Sequence, residues 1–196
     1  MDKSSVFLET FEWDNVWWEH TENKEAKRIA YIGDSISYGT RRNITFLSNN
    51  TILCDGFATS KALDNPYFVP NLELFFKQMN RCDAILFNNG LHGWHLSLDE
   101  YEKHYDDMLS FLTKINKNVF VLLTTDELGN KEHGRIAVER NKVAAKLAKK
   151  YGLHVIDQHT ISINNKDLYH PDQVHFTKEG YELLAKNILK EITLYL

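Results

Sequence analysis

Short apolar runs ending in glycine or polar residues recur along this chain, separated by stretches whose apolar residues repeat every three or four positions. Residues 29–33 (IAYIG) and 50–54 (NTILC) read as strands. Residues 84–89 (AILFNN) and 118–125 (NVFVLLTT) are the clearest strands, and 153–157 (LHVID) is a fifth. The two clearest runs are apolar at successive positions, as in strands covered on both faces. Helical periodicity fills the gaps. Leu72, Phe75, Phe76 and Met79 mark one helix, and Tyr101, Tyr105, Met108, Leu109 and Leu112 a second. Ile136, Val143, Ala144 and Leu147 mark a third. Tyr181, Leu184, Ala185, Ile188, Leu189 and Ile192 form the most regular stripe, near the C-terminus.

Strands alternating with helices of this length require crossover connections. The expected fold is α/β: a three-layer α/β/α sandwich, flavodoxin-like, on a mostly parallel five-stranded sheet. No internal repeat or linker interrupts the pattern. The expectation is therefore one domain over residues 1–196, with residues 1–26 an aromatic-rich extension packed on it. In such sheets sites form beyond the carboxyl ends of the strands. The unusual polar residues fall there: Asp34-Ser35, Asp55-Gly56, the segment 88–95, the segment 124–127, and Asp172 and His175 before the last helix.

Two of these segments carry the elements of nucleophilic catalysis. In YIGDSISYG (31–39) a serine follows a strand directly and enters a helix, where backbone N–H groups can hold an anion. Read alone, Asp34-Ser35 is as well explained by helix capping. The stretch has neither a G-x-S-x-G elbow nor a phosphate-binding glycine pattern. In DQVH (172–175) a carboxylate and an imidazole lie three residues apart. A serine needs a base to become nucleophilic, and a carboxylate fixes that base's tautomer. Read alone, this too is a surface loop with a capping aspartate.

Together the segments resemble the SGNH hydrolases, the GDSL-like esterases and lipases. The first block is Gly33-Asp34-Ser35-Ile36-Ser37, and the last is Asp172-Gln173-Val174-His175, followed by FTKEGY and a terminal helix. The likeness spans about residues 29–192. It implies Ser35 as nucleophile, His175 as base and Asp172 as the acid that orients it, with the Ser35 N–H in the oxyanion hole. Gly56 stands for the family's oxyanion-hole glycine. The third block departs from the usual G-x-N-D, because FNNGLHGWH places His92 where asparagine is expected. An imidazole N–H can donate as an amide does. His92 is the first choice for this donor, with Asn89 the alternative. The implied reaction is hydrolysis of a small ester through an acyl-enzyme, without cofactor or metal.

Tyr38, Trp94 and His95 are expected to line the substrate cleft, although loop packing accounts for the last two equally well. A short acyl group on a carbohydrate or other polar alcohol suits the Trp-His loop. A lysophospholipase or thioesterase, or a non-catalytic carbohydrate-binding protein on the same scaffold, are the alternatives. Trp13, Trp17 and Trp18 read as an N-terminal packing cluster before a sugar-stacking one. His92, His95, Asp172 and His175 lack any zinc-ligand spacing. Asp126 and Glu127 have no second acid tied to them for glycosidase chemistry.

Composition narrows the partners further. The 23 basic and 27 acidic side chains give a net charge of −4 without a basic cluster, which argues against nucleic acid. Two cysteines, Cys54 and Cys82, form no metal or disulfide framework and read as free thiols. No run is long enough to span a membrane, so membrane insertion is not expected. The N-terminus lacks a signal-peptide core, so a cytoplasmic protein is expected unless a leader has been removed.

Overall fold

The structure, a computed structural model, describes residues 8–196. Its sheet contains β1 (Asp14–Trp17), β2 (Lys27–Gly33), β3 (Ile52–Thr59), β4 (Ala84–Phe87), β5 (Val119–Leu123) and β6 (His154–Asp157). They lie in the order β1-β3-β2-β4-β5-β6. The strands β2 to β6 are mutually parallel, whereas β1 pairs antiparallel with β3. The expected five-stranded flavodoxin-like sheet is thereby corrected to a six-stranded mixed one. Its five parallel strands keep the 2-1-3-4-5 order of that fold, and the antiparallel edge strand departs from it. The sequence pattern missed β1 for a physical reason. In DNVW only Trp17 is buried, so the strand is imposed by pairing with β3 and not by its own alternation.

Alternate residues of the central strands enter opposite helical layers. Ala30 and Ile32 of β2, Ile85 and Phe87 of β4, and Val119 and Val121 of β5 share one core. There they meet α2 (Phe68–Gln78), α3 (Leu98–Ile115) and α4 (Lys131–Tyr151). Ile29, Tyr31, Leu86, Phe120 and Leu122 face the other core, against α1 (Ser35–Leu47) and α6 (Lys178–Ile192). The remaining helix, α5 (His159–Asn164), is short. A third, smaller cluster of Ile36, Leu91, Tyr169, Phe176 and Leu184 closes the carboxyl end of the sheet. It joins the segment after β2, the loop after β4 and the chain before α6.

The β3 strand runs five residues past the expected end. Asp55 and Gly56 therefore lie inside it rather than after it. Asp55 accepts from Arg28 Nε at 2.6 Å and from the Glu19 N–H at 2.9 Å. Gly56 pairs with Tyr31 on one side and Trp17 on the other. A Cβ there would sit 2.1 Å from the Trp17 ring. That ring is buried, and its Nε1–H donates to the Cys54 carbonyl at 2.6 Å. Trp18 stacks on Phe75 with centroids 5.1 Å apart, and Trp13 packs on the second core. Cys54 and Cys82 are free, the former buried.

Candidate active site

The first turn of α1 presents Ser35. Asp34 is the N-cap: its Oδ1 accepts from the N–H groups of Ile36 at 2.9 Å and Ser37 at 3.5 Å. This leaves Ser35 as the first helical residue, where the N–H has no intrahelical acceptor. Gly33 is required because the turn folds back onto it. A Cβ at Gly33 would meet Ser37 Oγ at 2.0 Å.

His175 reaches Ser35 from the other end of the chain. Its Nε2 lies 2.8 Å from Ser35 Oγ, and its Nδ1 lies 2.8 Å from Asp172 Oδ2. Asp172 also shapes the turn that carries it, since Oδ1 accepts from the N–H groups of Val174 at 3.0 Å and His175 at 2.9 Å. Gln173 takes a φ of 61°, and its carbonyl receives the Leu128 N–H, anchoring the turn to the loop after β5. Burial works to raise the Asp172 carboxyl. The two backbone donors and the His175 ring outweigh it and hold the group well below the usual carboxylate range. The pair stands at the open edge of the molecule, with 42% of the His175 side chain and 44% of the Asp172 side chain exposed.

The expected oxyanion-hole residues divide. Gly56 is not brought to Ser35. It lies two residues, roughly 7 Å at the usual strand rise, behind Ala58, which is level with Gly33. The register extends instead to the segment 60–62, whose Ala62 Cβ a side chain on Gly93 would meet at 2.6 Å. Asn89 is buried, and its Nδ2 donates to the Lys61 carbonyl at 3.0 Å. The Tyr101 hydroxyl donates to the Asn89 carbonyl at 2.7 Å. Asn89 thus ties the ends of β3 and β4 together. His92 is 16% exposed in its side chain and borders a groove of about 550 Å³ with Glu9, Phe11 and His95.

Trp94 lines the same groove, with other side chains packed on its ring. The His133 ring stacks on it at 4.0 Å and 6°, and the Arg140 guanidinium lies 4.8 Å from its centroid. A ring stacked that closely occupies one face and leaves the cation the other. His95 Nε2 lies 3.0 Å from Asp64 Oδ2. Tyr38, on the outer side of α1, meets Trp17 edge-on at 5.6 Å and carries the Arg41 guanidinium 4.0 Å over its ring.

Two residues that sequence reasoning passed over hold this loop. Arg140 is 1% exposed and donates to the carbonyls of Gly90 at 3.0 Å, His92 at 2.6 Å and Gly93 at 2.6 Å. Its signal was present: a cation at position 140 falls on the apolar stripe Ile136, Val143, Ala144, Leu147. Glu9 Oε1 lies 2.9 Å from His92 Nδ1. Nothing in the local pattern FLETFEW singles it out.

No protein-family model matches the chain, and no curated protein does. Solved structures do match it. A member of the lipolytic G-D-S-L family from Veillonella parvula superposes with a TM-score of 0.72 at 18% identity, over 87% of this chain and 100% of that one. The chain shares its fold. The acetyl xylan esterase AlAXEase gives a TM-score of 0.65 at 18% identity, covering 84% of this chain and 99% of that one. An acetylxylan esterase from Geobacillus stearothermophilus gives 0.63 at 16%, covering 87% and 96%. These structures are esterase and lipase-family proteins, and this chain adopts the same three-layer architecture. Among the described residues no group of side chains is arranged to hold a metal ion, and no helix is long and apolar enough to cross a membrane.

Proposed function

We propose that the chain is a serine esterase of the SGNH type, removing a short acyl group from a carbohydrate or another polar alcohol. The observation that carries this reading is the unbroken chain Ser35 Oγ, His175 Nε2, His175 Nδ1, Asp172 Oδ2, with both contacts at 2.8 Å. In the ground state the serine hydroxyl donates to Nε2, and Nδ1–H donates to Asp172. As Ser35 Oγ attacks the ester carbonyl, its proton passes to Nε2, and Asp172 steadies the imidazolium that forms. His175 then gives this proton to the departing alkoxide, releasing the alcohol. Water, deprotonated by the same histidine, attacks the acyl-enzyme, and collapse of the second tetrahedral intermediate frees the acid and restores Ser35.

The developing oxyanion is received by the Ser35 N–H, a main-chain N–H of the segment 60–62, and His92. Register disfavours Gly56 in this set, and Asn89, buried with one of its two amide hydrogens on Lys61, is the weaker choice beside the more exposed His92. That the structurally similar proteins include acetyl xylan esterases supports acetyl esters of sugars as the substrate class. The covered faces of Trp94 speak against glycan binding by ring stacking, and so against a purely sugar-binding role for this loop.

The test is release of acetate from acetylated xylooligosaccharides and from short-chain model esters. Wild-type protein is expected to turn them over, while Ser35→Ala and His175→Ala lose activity by at least a thousandfold, on the order found when a triad member is removed. Unchanged turnover in Ser35→Ala would refute the mechanism.

A further inference from the structure

His92 has one ring nitrogen committed. Its Nδ1 meets Glu9 Oε1 at 2.9 Å. A carboxylate accepts only, so Nδ1 carries a hydrogen. A neutral imidazole with its proton on Nδ1 has a lone pair at Nε2. That lone pair would repel a forming oxyanion, whereas an N–H there would hold it. At an oxyanion hole, a neutral histidine held this way would therefore not replace asparagine.

The charges around the ring favour the second proton. Glu9 and Glu12 face it from the N-terminal segment and Asp34 from the junction of β2 and α1. Within its own loop His95 interacts with Glu9 but pairs with Asp64. From α4, the Arg140 guanidinium binds the carbonyl of His92. Burial lowers the affinity of the ring for a proton, but the Glu9 hydrogen bond and the carboxylates of Asp34, Glu9 and Glu12 outweigh it, and the net direction is upward. Glu9 is itself displaced downward. Burial raises it, and His92 and the Gly93 N–H overcome that.

We propose that Glu9 is a positioning residue that keeps His92 doubly protonated, so that the imidazolium Nε2–H is the third donor of the oxyanion hole. The N-terminal segment thereby completes the catalytic centre. This rests on the serine-esterase reading above. Its consequence is that two histidines act in opposite protonation states: His175 must be neutral to accept the serine proton, and His92 must be charged.

The experiment is the pH dependence of kcat/KM for p-nitrophenyl acetate with wild type, Glu9→Gln, His92→Asn and Ser35→Ala. The rate of labelling by a fluorophosphonate is followed in parallel. Wild type is expected to lose activity on an alkaline limb as His92 gives up its proton. Glu9→Gln, nearly isosteric, is expected to move that limb down by about one pH unit, a tenfold loss at a fixed pH on the limb. The loss is expected in kcat, with KM held, because the contact strengthens only in the transition state. His92→Asn is expected to abolish the limb, since an amide donates at every pH. In the Ser35→Ala protein, the His92 imidazole followed by ¹H–¹⁵N NMR is expected to titrate lower after Glu9→Gln. Ser35-dependent turnover with an alkaline limb unmoved by Glu9→Gln, or surviving in His92→Asn, overturns this inference and leaves the esterase reading standing. Activity independent of Ser35, or no labelling of wild type, overturns both.

Discussion

Asp172 serves two purposes with its two oxygens, and they can be separated. Oδ1 holds the backbone turn through the N–H groups of Val174 and His175, while Oδ2 faces the His175 ring. Asp172→Asn keeps an acceptor for the turn but can place an amide N–H₂ against Nδ1, favouring the unproductive tautomer. A fall in kcat of about 10²–10⁴ is expected, below the loss at a fully buried aspartate because water reaches this one. Steady-state kinetics beside an unchanged circular dichroism spectrum would show it. The depressed Asp172 pKa also fixes a sign. Its stabilising contribution is present above the ordinary carboxylate range and is lost only as pH falls through its lower native value. The turn therefore stays closed under conditions that protonate ordinary surface carboxylates.

At the scale of elements, the loop after β4 depends on α4. Arg140 is a buried cation with no carboxylate partner among the described residues, satisfied by three carbonyls of Gly90, His92 and Gly93 and by the rings of Trp94 and Tyr101. The helix itself starts and ends on conventional signals. The Asn130 side chain caps it, and Gly152 closes it at φ 66°. Arg140→Met fills comparable volume but leaves those carbonyls short of donors. It is expected to cost about 3 kcal/mol in urea unfolding. It is also expected to lower kcat in the fraction that folds, because His92 loses its anchor. Arg140→Lys, with one ammonium in place of a fork, is expected to recover only part of both.

Across the whole molecule, the edge strand β1 links stability to the site. Trp17 covers Gly56 and packs on the second core, and the chain before β1 carries Glu9 to His92. Trp17→Ala is expected to destabilise the protein by about 3–5 kcal/mol, read as a lower urea midpoint at constant m. The continuous apolar runs of β2, β4 and β5 and the helical stripes of α3, α4 and α6 were legible in the sequence, because burial on both faces of a sheet leaves an unbroken apolar run and burial of one helix face leaves a 3.6-residue period. The GDS and D-x-x-H segments suggested chemistry only through their joint resemblance to the SGNH hydrolases, since each alone is as well explained by capping or a surface loop; the contact of Asp172 with His175 is local. The 140-residue separation of His175 from Ser35 is bridged only by the order of the sheet. The rest lay in contacts between distant segments. β1 is a strand only because β3 offers it an edge. Gly56 lies inside a strand, not after one, because β3 extends beyond its apolar signal. Trp94 is covered because α4 brings His133 and Arg140 to it. The sequence by itself determined the layered α/β pattern and supplied the serine, histidine and aspartate of the candidate site. Tertiary structure alone decided the neighbours of the loop after β4, Glu9 beside His92, Lys61 beside Asn89 and His133 on Trp94, because hydrogen-bond geometry and mutual charge depend on groups that the chain brings together only when folded.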